Sequence, residues 1–279
     1  MAEYAFRILN VFAETPLGGN PLAVIEDARG IDDATMQALA LQFNLSETTF
    51  ILPSSRATAH VRIFTPTFEM PFAGHPTLGT AHVVRALTGA GDRVTLEMRA
   101  GLIPVEAKGD RWTLTANPPK HRAPSASRDK FAAMLGLSSS DISDAPPLWV
   151  DTGSDQLVIP LASVDAVKRV APRGDLFMKH GRNGERALAY VFAREGDHVV
   201  CRFFFNKQGA IVEDPGTGSA CANLGGWLIA TGARLPQRVQ LAQGDLIGRP
   251  CRLGLEVSEK REIRVSGRVI EIGRGTLRF

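Results

Sequence analysis

Two stretches decide the fold: Pro71-Phe72-Ala73-Gly74-His75-Pro76-Thr77-Leu78-Gly79-Thr80-Ala81-His82-Val83-Val84 and Glu213-Asp214-Pro215-Gly216-Thr217-Gly218-Ser219-Ala220-Cys221-Ala222-Asn223-Leu224-Gly225-Gly226-Trp227-Leu228. Each has a turn containing Gly and Pro, then a polar residue, then small and apolar residues. Pro76 suits a first helical turn, where its missing N–H leaves nothing unsatisfied, and Gly89 and Gly232 supply C-terminal stops. Neither helix carries a charged face, and a helix apolar nearly all round is a buried one. The neighbouring segments read as strands, so each half is expected to wrap a sheet around one central helix. Gly79, Gly225 and Gly226 would admit strands close to the helices. Gly74 and Gly218 lie 144 residues apart, about half of the 279-residue chain. That spacing points to duplication of one module, with two unrelated buried helices as the alternative.

Outward from these helices, period-2 and β-branched runs predict strands at Arg7–Phe12, Leu22–Ile25, Thr48–Leu52, Val61–Phe64, Val94–Met98, Ile103–Ala107 and Trp112–Ala116. Asp32-Asp33 offers an N-cap to a helix carrying Met36, Leu39, Ala40 and Phe43, which Asn44 can stop. Pro118-Pro119-Lys120-His121-Arg122-Ala123-Pro124 is polar and proline-rich, the best candidate linker. Beyond it, Ser127 and Ser163 cap short helices, and strands are predicted at 148–150, 157–161, 188–193, 199–205, 239–242, 252–257 and 263–269, followed by a last short strand.

With 44% hydrophobic and 22% charged residues, the composition is globular and excludes a disordered or collagen-like chain. No apolar run approaches the roughly 18 residues of a membrane span. Met1-Ala2-Glu3-Tyr4 shows no basic-then-apolar leader, so a cytoplasmic protein is expected. Residues 1–119 hold 9 Lys+Arg against 12 Asp+Glu, leaving 23 against 17 in the remainder. The basic second half fits an anionic small molecule or an ordinary solvated surface. No basic cluster is interleaved with aromatics, which argues against nucleic acid. Cys201, Cys221 and Cys251 are too few and too widely spaced for a disulfide framework. His75 and His82 have no third ligand beside them, so no metal site is supported.

The chemistry-bearing residues cluster at the helix starts. Helix N-termini carry unsatisfied N–H groups and partial positive charge, so two of them facing one cleft would cradle an anion. His75, Asp214, Thr217 and Ser219 sit at these ends of otherwise apolar helices. Gly216–Cys221 breaks the dinucleotide pattern at its third glycine, and no phosphate-loop motif occurs. Glu47 lies in the apolar frame Phe43–Phe50, where desolvation favours a carboxyl group able to shuttle a proton. Taken alone, such a glutamate also fits a surface or capping role.

In sequence, Phe12 to Val24 with Gly19-Asn20-Pro21, Asn44-Leu45-Ser46-Glu47-Thr48-Thr49-Phe50, Arg62 through Ala81, Glu213 to Ala220 and Gln243 to Pro250 together resemble the PhzF-like phenazine-biosynthesis proteins of the diaminopimelate-epimerase-like fold. The resemblance covers most of the chain and is least distinctive over residues 120–200. It implies an α+β fold of two pseudo-symmetric halves, each a β-barrel-like sheet around a central helix. The halves would be residues 1–119 and 120–267, with 268–279 returning to the first and the active site in the cleft between them. It further implies a homodimer, no metal and no organic cofactor. Carried over by position, Glu47 matches the catalytic acid/base, and His75, Asp214 and Ser219 match residues that hold or protonate the substrate. Asn20, Ser46, Gly74 and Gly218 match positions that contact it.

Related epimerases use two cysteines. Here Ala73-Gly74-His75 and Asp214-Pro215 lack them, and Cys221 falls about two turns into its helix by sequence count. The expected activity is therefore a cofactor-independent isomerisation of a small carboxylated substrate by proton transfer, resembling trans-2,3-dihydro-3-hydroxyanthranilate isomerase. The alternatives are an amino-acid epimerase or a non-catalytic binding protein on the same scaffold.

Overall fold

The chain divides into two units, Met1–Thr115 with Ser266–Phe279, and Ala116–Val265. The structure is a computed structural model that describes residues 2–207 and 209–279; Met1, the first residue of the expected leaderless start, lies outside them.

In the first unit, helix α1 (Asp33–Phe43) begins where Asp32 accepts a hydrogen bond from the Thr35 amide and ends where Asn44 turns left-handed at φ 51°. Helix α2 (Gly74–Thr88) is buried at every residue from Gly74 to Ala81, a stretch without Asp, Glu, Lys or Arg, and keeps its one cation, Arg85, for the last turn. Around it the strands follow a regular order. Glu3–Val11 pairs antiparallel with Asn20–Ile25, which runs parallel to Glu47–Leu52. That strand is antiparallel to Ala59–Phe64, which runs parallel to Arg93–Met98. Gly101–Lys108 and Arg111–Thr115 complete an antiparallel meander. Ile263–Arg278 pairs with both Arg111–Thr115 and Glu3–Val11, closing the ring. The parallel steps need crossovers, and α1 and α2 supply them.

The second unit opens with the short strand Lys120–Arg122, followed by α3 (Arg128–Leu135), and repeats the alternation. Leu148–Asp151 and Asp155–Pro160 form a hairpin, the latter running parallel to Arg186–Glu195. Arg186–Glu195 pairs antiparallel with His198–Lys207, which runs parallel to Gln237–Gln243; Cys251–Val257 follows antiparallel. Helices α4 (Val164–Arg169) and α5 (Gly174–His180) fill the first crossover and α6 (Gly218–Ala230) the second. Each unit is thus an α+β module with a sheet wrapped around one buried helix.

The helix glycines set how near the strands come. A Cβ on Gly79 would lie 2.5 Å from Leu22 Cδ2, and one on Gly226 would lie 2.7 Å from Val150 Cγ1. Gly79→Val is therefore expected to destabilise the protein by about 1–3 kcal/mol, the usual range for overpacking. Urea unfolding measures it, and an unchanged midpoint would contradict this packing.

Two expectations change, and two elements arise that the sequence did not announce. Residues 118–124 are not a linker, because Lys120–Arg122 pairs with Leu148–Asp151 inside the second unit's sheet. The tail is not two short strands but one, Ile263–Arg278. Gly267 and Gly275 make room in it for aromatic rings; a Cβ on Gly275 would stand 2.9 Å from Phe6 Cε1. Finally, α5 and the strand Ala210–Asp214 are elements without a sequence forecast.

Candidate active site

In the first unit, Glu47 is the first residue of its strand and stands in register with Leu22. His75 is the second residue of α2, only 6% exposed. Glu47 Oε2 and His75 Nε2 face each other at 3.4 Å. One turn further along the helix, the buried hydroxyls of Thr49 and Thr80 share a hydrogen bond of 2.8 Å, which pins strand to helix and so fixes the spacing of the pair. Burial pushes His75 down to about 3, against the opposing effect of a ring N–H given to the Pro21 carbonyl. The imidazole is therefore neutral at physiological pH. With one ring nitrogen committed to Pro21, Nε2 presents a lone pair to Glu47. Two lone-pair edges meeting in this way are reconciled by one proton between them, which is the arrangement an acid/base residue needs.

Asn20, fully buried, starts the strand that contains Pro21; Ser46 precedes Glu47; Gly74 precedes His75 and opens α2. The structure thus gathers Glu47 and His75 directly, with Ser46 and Gly74 as their chain neighbours and Asn20 next to Pro21, whose carbonyl the His75 ring meets. The start of α2 has no side-chain cap and no acidic residue in its first turn, which leaves its positive end for an anion.

In the second unit, Asp214 ends the strand Ala210–Asp214, and Gly218 and Ser219 open α6. This helix start likewise has no side-chain cap and no acidic first turn. Buried Gln243 organises the turn between strand and helix. Its Nε2 donates to the Asp214 carbonyl at 2.8 Å and to Thr217 Oγ1 at 3.0 Å, while its Oε1 accepts from the Thr217 amide at 3.3 Å. The Thr217 hydroxyl in turn donates to the Asp214 carboxylate. Ser219 Oγ accepts from Gln156 Nε2 at 2.9 Å. Gln156, Asn223 and Gln243 are polar groups that the sequence reading did not assign. The available signal was an amide inside an otherwise apolar helix or strand.

Thiol chemistry has no foothold. All three cysteines are buried and unpaired with one another. Burial pushes Cys201 up to about 12 and raises Cys221 and Cys251 as well. Cys221 stands about one turn into α6, not the two that sequence counting gives, yet it is fully buried. Among the described residues, no three His, Cys, Asp or Glu side chains are grouped to hold a metal, and no helix is long and apolar enough to cross a membrane.

Residues 9–275 match the family model described as phenazine biosynthesis-like protein. The chain is 42% identical to an uncharacterized isomerase of Pasteurella multocida, over 99% of this chain and 95% of that one. It is 35% identical to the trans-2,3-dihydro-3-hydroxyanthranilate isomerase of Pseudomonas fluorescens, over 98% of each. The crystal structure of a PhzF-family phenazine biosynthesis protein from Bacillus anthracis superposes with a TM-score of 0.90 at 23% identity, covering both chains in full, and so shares the fold. With a match across nearly the whole chain, this protein belongs to the phenazine biosynthesis-like family, and both relatives just described are named as isomerases.

Proposed function

We propose that this protein is a cofactor-independent isomerase that moves a proton between carbons of a small carboxylated substrate, of the class of trans-2,3-dihydro-3-hydroxyanthranilate. The observation that carries the reading is the contact of Glu47 with a neutral His75 beside the uncapped start of α2. Glu47 takes a proton from one carbon and returns it to another of the same conjugated system. His75 holds the alternate proton position and orients the carboxyl group. Asp214 and Ser219 hold the substrate, with Asn20, Ser46, Gly74 and Gly218 shaping the contact. Amide donors at the helix starts stabilise negative charge as it develops on the substrate.

An epimerase acting through two thiols is disfavoured by the buried, protonated cysteines. A homodimer in the cytoplasm completes the reading, on family resemblance; light scattering checks the assembly. The function itself is tested by incubation with trans-2,3-dihydro-3-hydroxyanthranilate. Its consumption with formation of an isomer of the same mass is expected. Inversion of a stereocentre in an amino-acid panel, with this compound left intact, would overturn the proposal in favour of epimerisation.

A further inference from the structure

Behind Ser219 lies a chain of buried amides whose orientation can be deduced bond by bond. Asn223 on α6 is fully buried, and its Oδ1 accepts from the Thr152 backbone N–H at 2.9 Å and from the Thr152 hydroxyl at 2.7 Å. Its Nδ2 donates to the Ser154 carbonyl at 2.8 Å and to Gln156 Oε1 at 2.8 Å. A backbone N–H can only donate and a carbonyl can only accept, so the Asn223 amide fits in one orientation. Gln156, 2% exposed, must then turn its oxygen to Asn223 and its NH₂ to Ser219 Oγ, 2.9 Å away. An amide NH₂ only donates, so Ser219 is obliged to accept on its inner side. Its one hydroxyl hydrogen gives no hydrogen bond to any described residue.

From this polarity we infer that Gln156, locked by Asn223, is a positioning residue that makes Ser219 a dedicated hydrogen-bond donor to an anionic oxygen of the ligand, a carboxylate. The inference rests on the reading that Ser219 touches substrate, and it adds the direction of the bond and the residues that impose it. Had the serine hydrogen been consumed inside the fold, the hydroxyl would present a lone pair to the carboxylate and repel it. A hydrogen bond to a charged group is worth enough to change affinity by about 10-fold or more.

The test is Gln156→Glu, nearly the same shape, in which the inner donor becomes an acceptor and draws the serine hydrogen inward. The probe is 3-hydroxyanthranilate, a stable aromatic carboxylate, with 2-aminophenol as its counterpart lacking the carboxylate; calorimetry reads both. The expected result is about 10-fold or greater weakening for 3-hydroxyanthranilate and none for 2-aminophenol. In turnover the loss should fall on KM, not kcat. In a Ser219→Ala background Gln156→Glu should cause no further loss, which separates this effect from simple repulsion by the new charge. Gln156→Met, which adds no charge, should weaken the carboxylate probe several-fold and serves if the glutamate variant does not fold. Wild-type affinity in either Gln156 variant, or a further loss in the Ser219→Ala background, would overturn the inference while leaving the isomerase reading intact. Wild-type affinity in Ser219→Ala alone would instead show that Ser219 does not touch the ligand, and would remove both assignments.

Discussion

Glu47→Gln is expected to lower turnover of trans-2,3-dihydro-3-hydroxyanthranilate by about 10²–10⁴-fold, the range for loss of a positioned acid/base. Affinity for a carboxylate analogue should stay within a few-fold of wild type. The amide keeps the shape and hydrogen-bonding size of the acid but cannot exchange a proton with carbon or with His75 Nε2. The side chain is mostly buried and the strand is tied to α2 through Thr49 and Thr80, so the variant should fold. Steady-state kinetics and calorimetry together separate the two effects. Wild-type turnover in Glu47→Gln would remove Glu47 from the mechanism.

The second large effect concerns pH. His75 is neutral in the folded state down to about pH 3, because burial disfavours the cation. In the unfolded chain an ordinary histidine protonates below about 6.5. Above pH 6.5 both states carry the neutral ring and the group contributes no pH dependence. Between pH 6.5 and 3 the unfolded state binds a proton that the folded state refuses, so stability falls as pH falls. Across the whole window the loss amounts to roughly 4–5 kcal/mol, and about 2–3 kcal/mol between pH 7 and 4.5. His75→Gln removes the titrating group, so its unfolding free energy should fall less steeply over this range than that of wild type. Parallel pH slopes in urea unfolding of the two proteins would contradict a neutral buried His75.

Much of this architecture was legible in the sequence because its signals are local. A helix beginning near Gly and Pro and lacking a charged face announces burial, and the first turns of α2 and most of α6 are buried as that pattern requires. Asp32 starts α1 through its side-chain cap and Asn44 ends it through its left-handed backbone, both local features. The strand Ala210–Asp214 was not legible because its apolar run, Ala210-Ile211-Val212, is only three residues long and shows no alternation. It forms as the return arm of a hairpin on the long strand His198–Lys207. The strand at Lys120–Arg122 was hidden by flanking prolines and by its three polar, exposed residues, which show no apolar alternation. At the site, Glu47 and His75 stood out as titratable groups in apolar frames. The amides behind Ser219 and Asp214 did not, since their meaning depends on partners far away in sequence. Gln156 meets Asn223 across 67 residues, and Gln243 meets Asp214 across 29. Hydrogen-bond polarity becomes readable only when both ends of such a bond are in view.

The central claim is that a proton leaves one carbon of the substrate and another is delivered elsewhere on the same molecule. It is tested most directly with trans-2,3-dihydro-3-hydroxyanthranilate carrying deuterium at the carbon that loses its proton, followed by proton and deuterium NMR through turnover. The account predicts that product forms and that the label leaves its original carbon, either appearing at the receiving carbon or passing to water. Product that retains the deuterium where it began would contradict it.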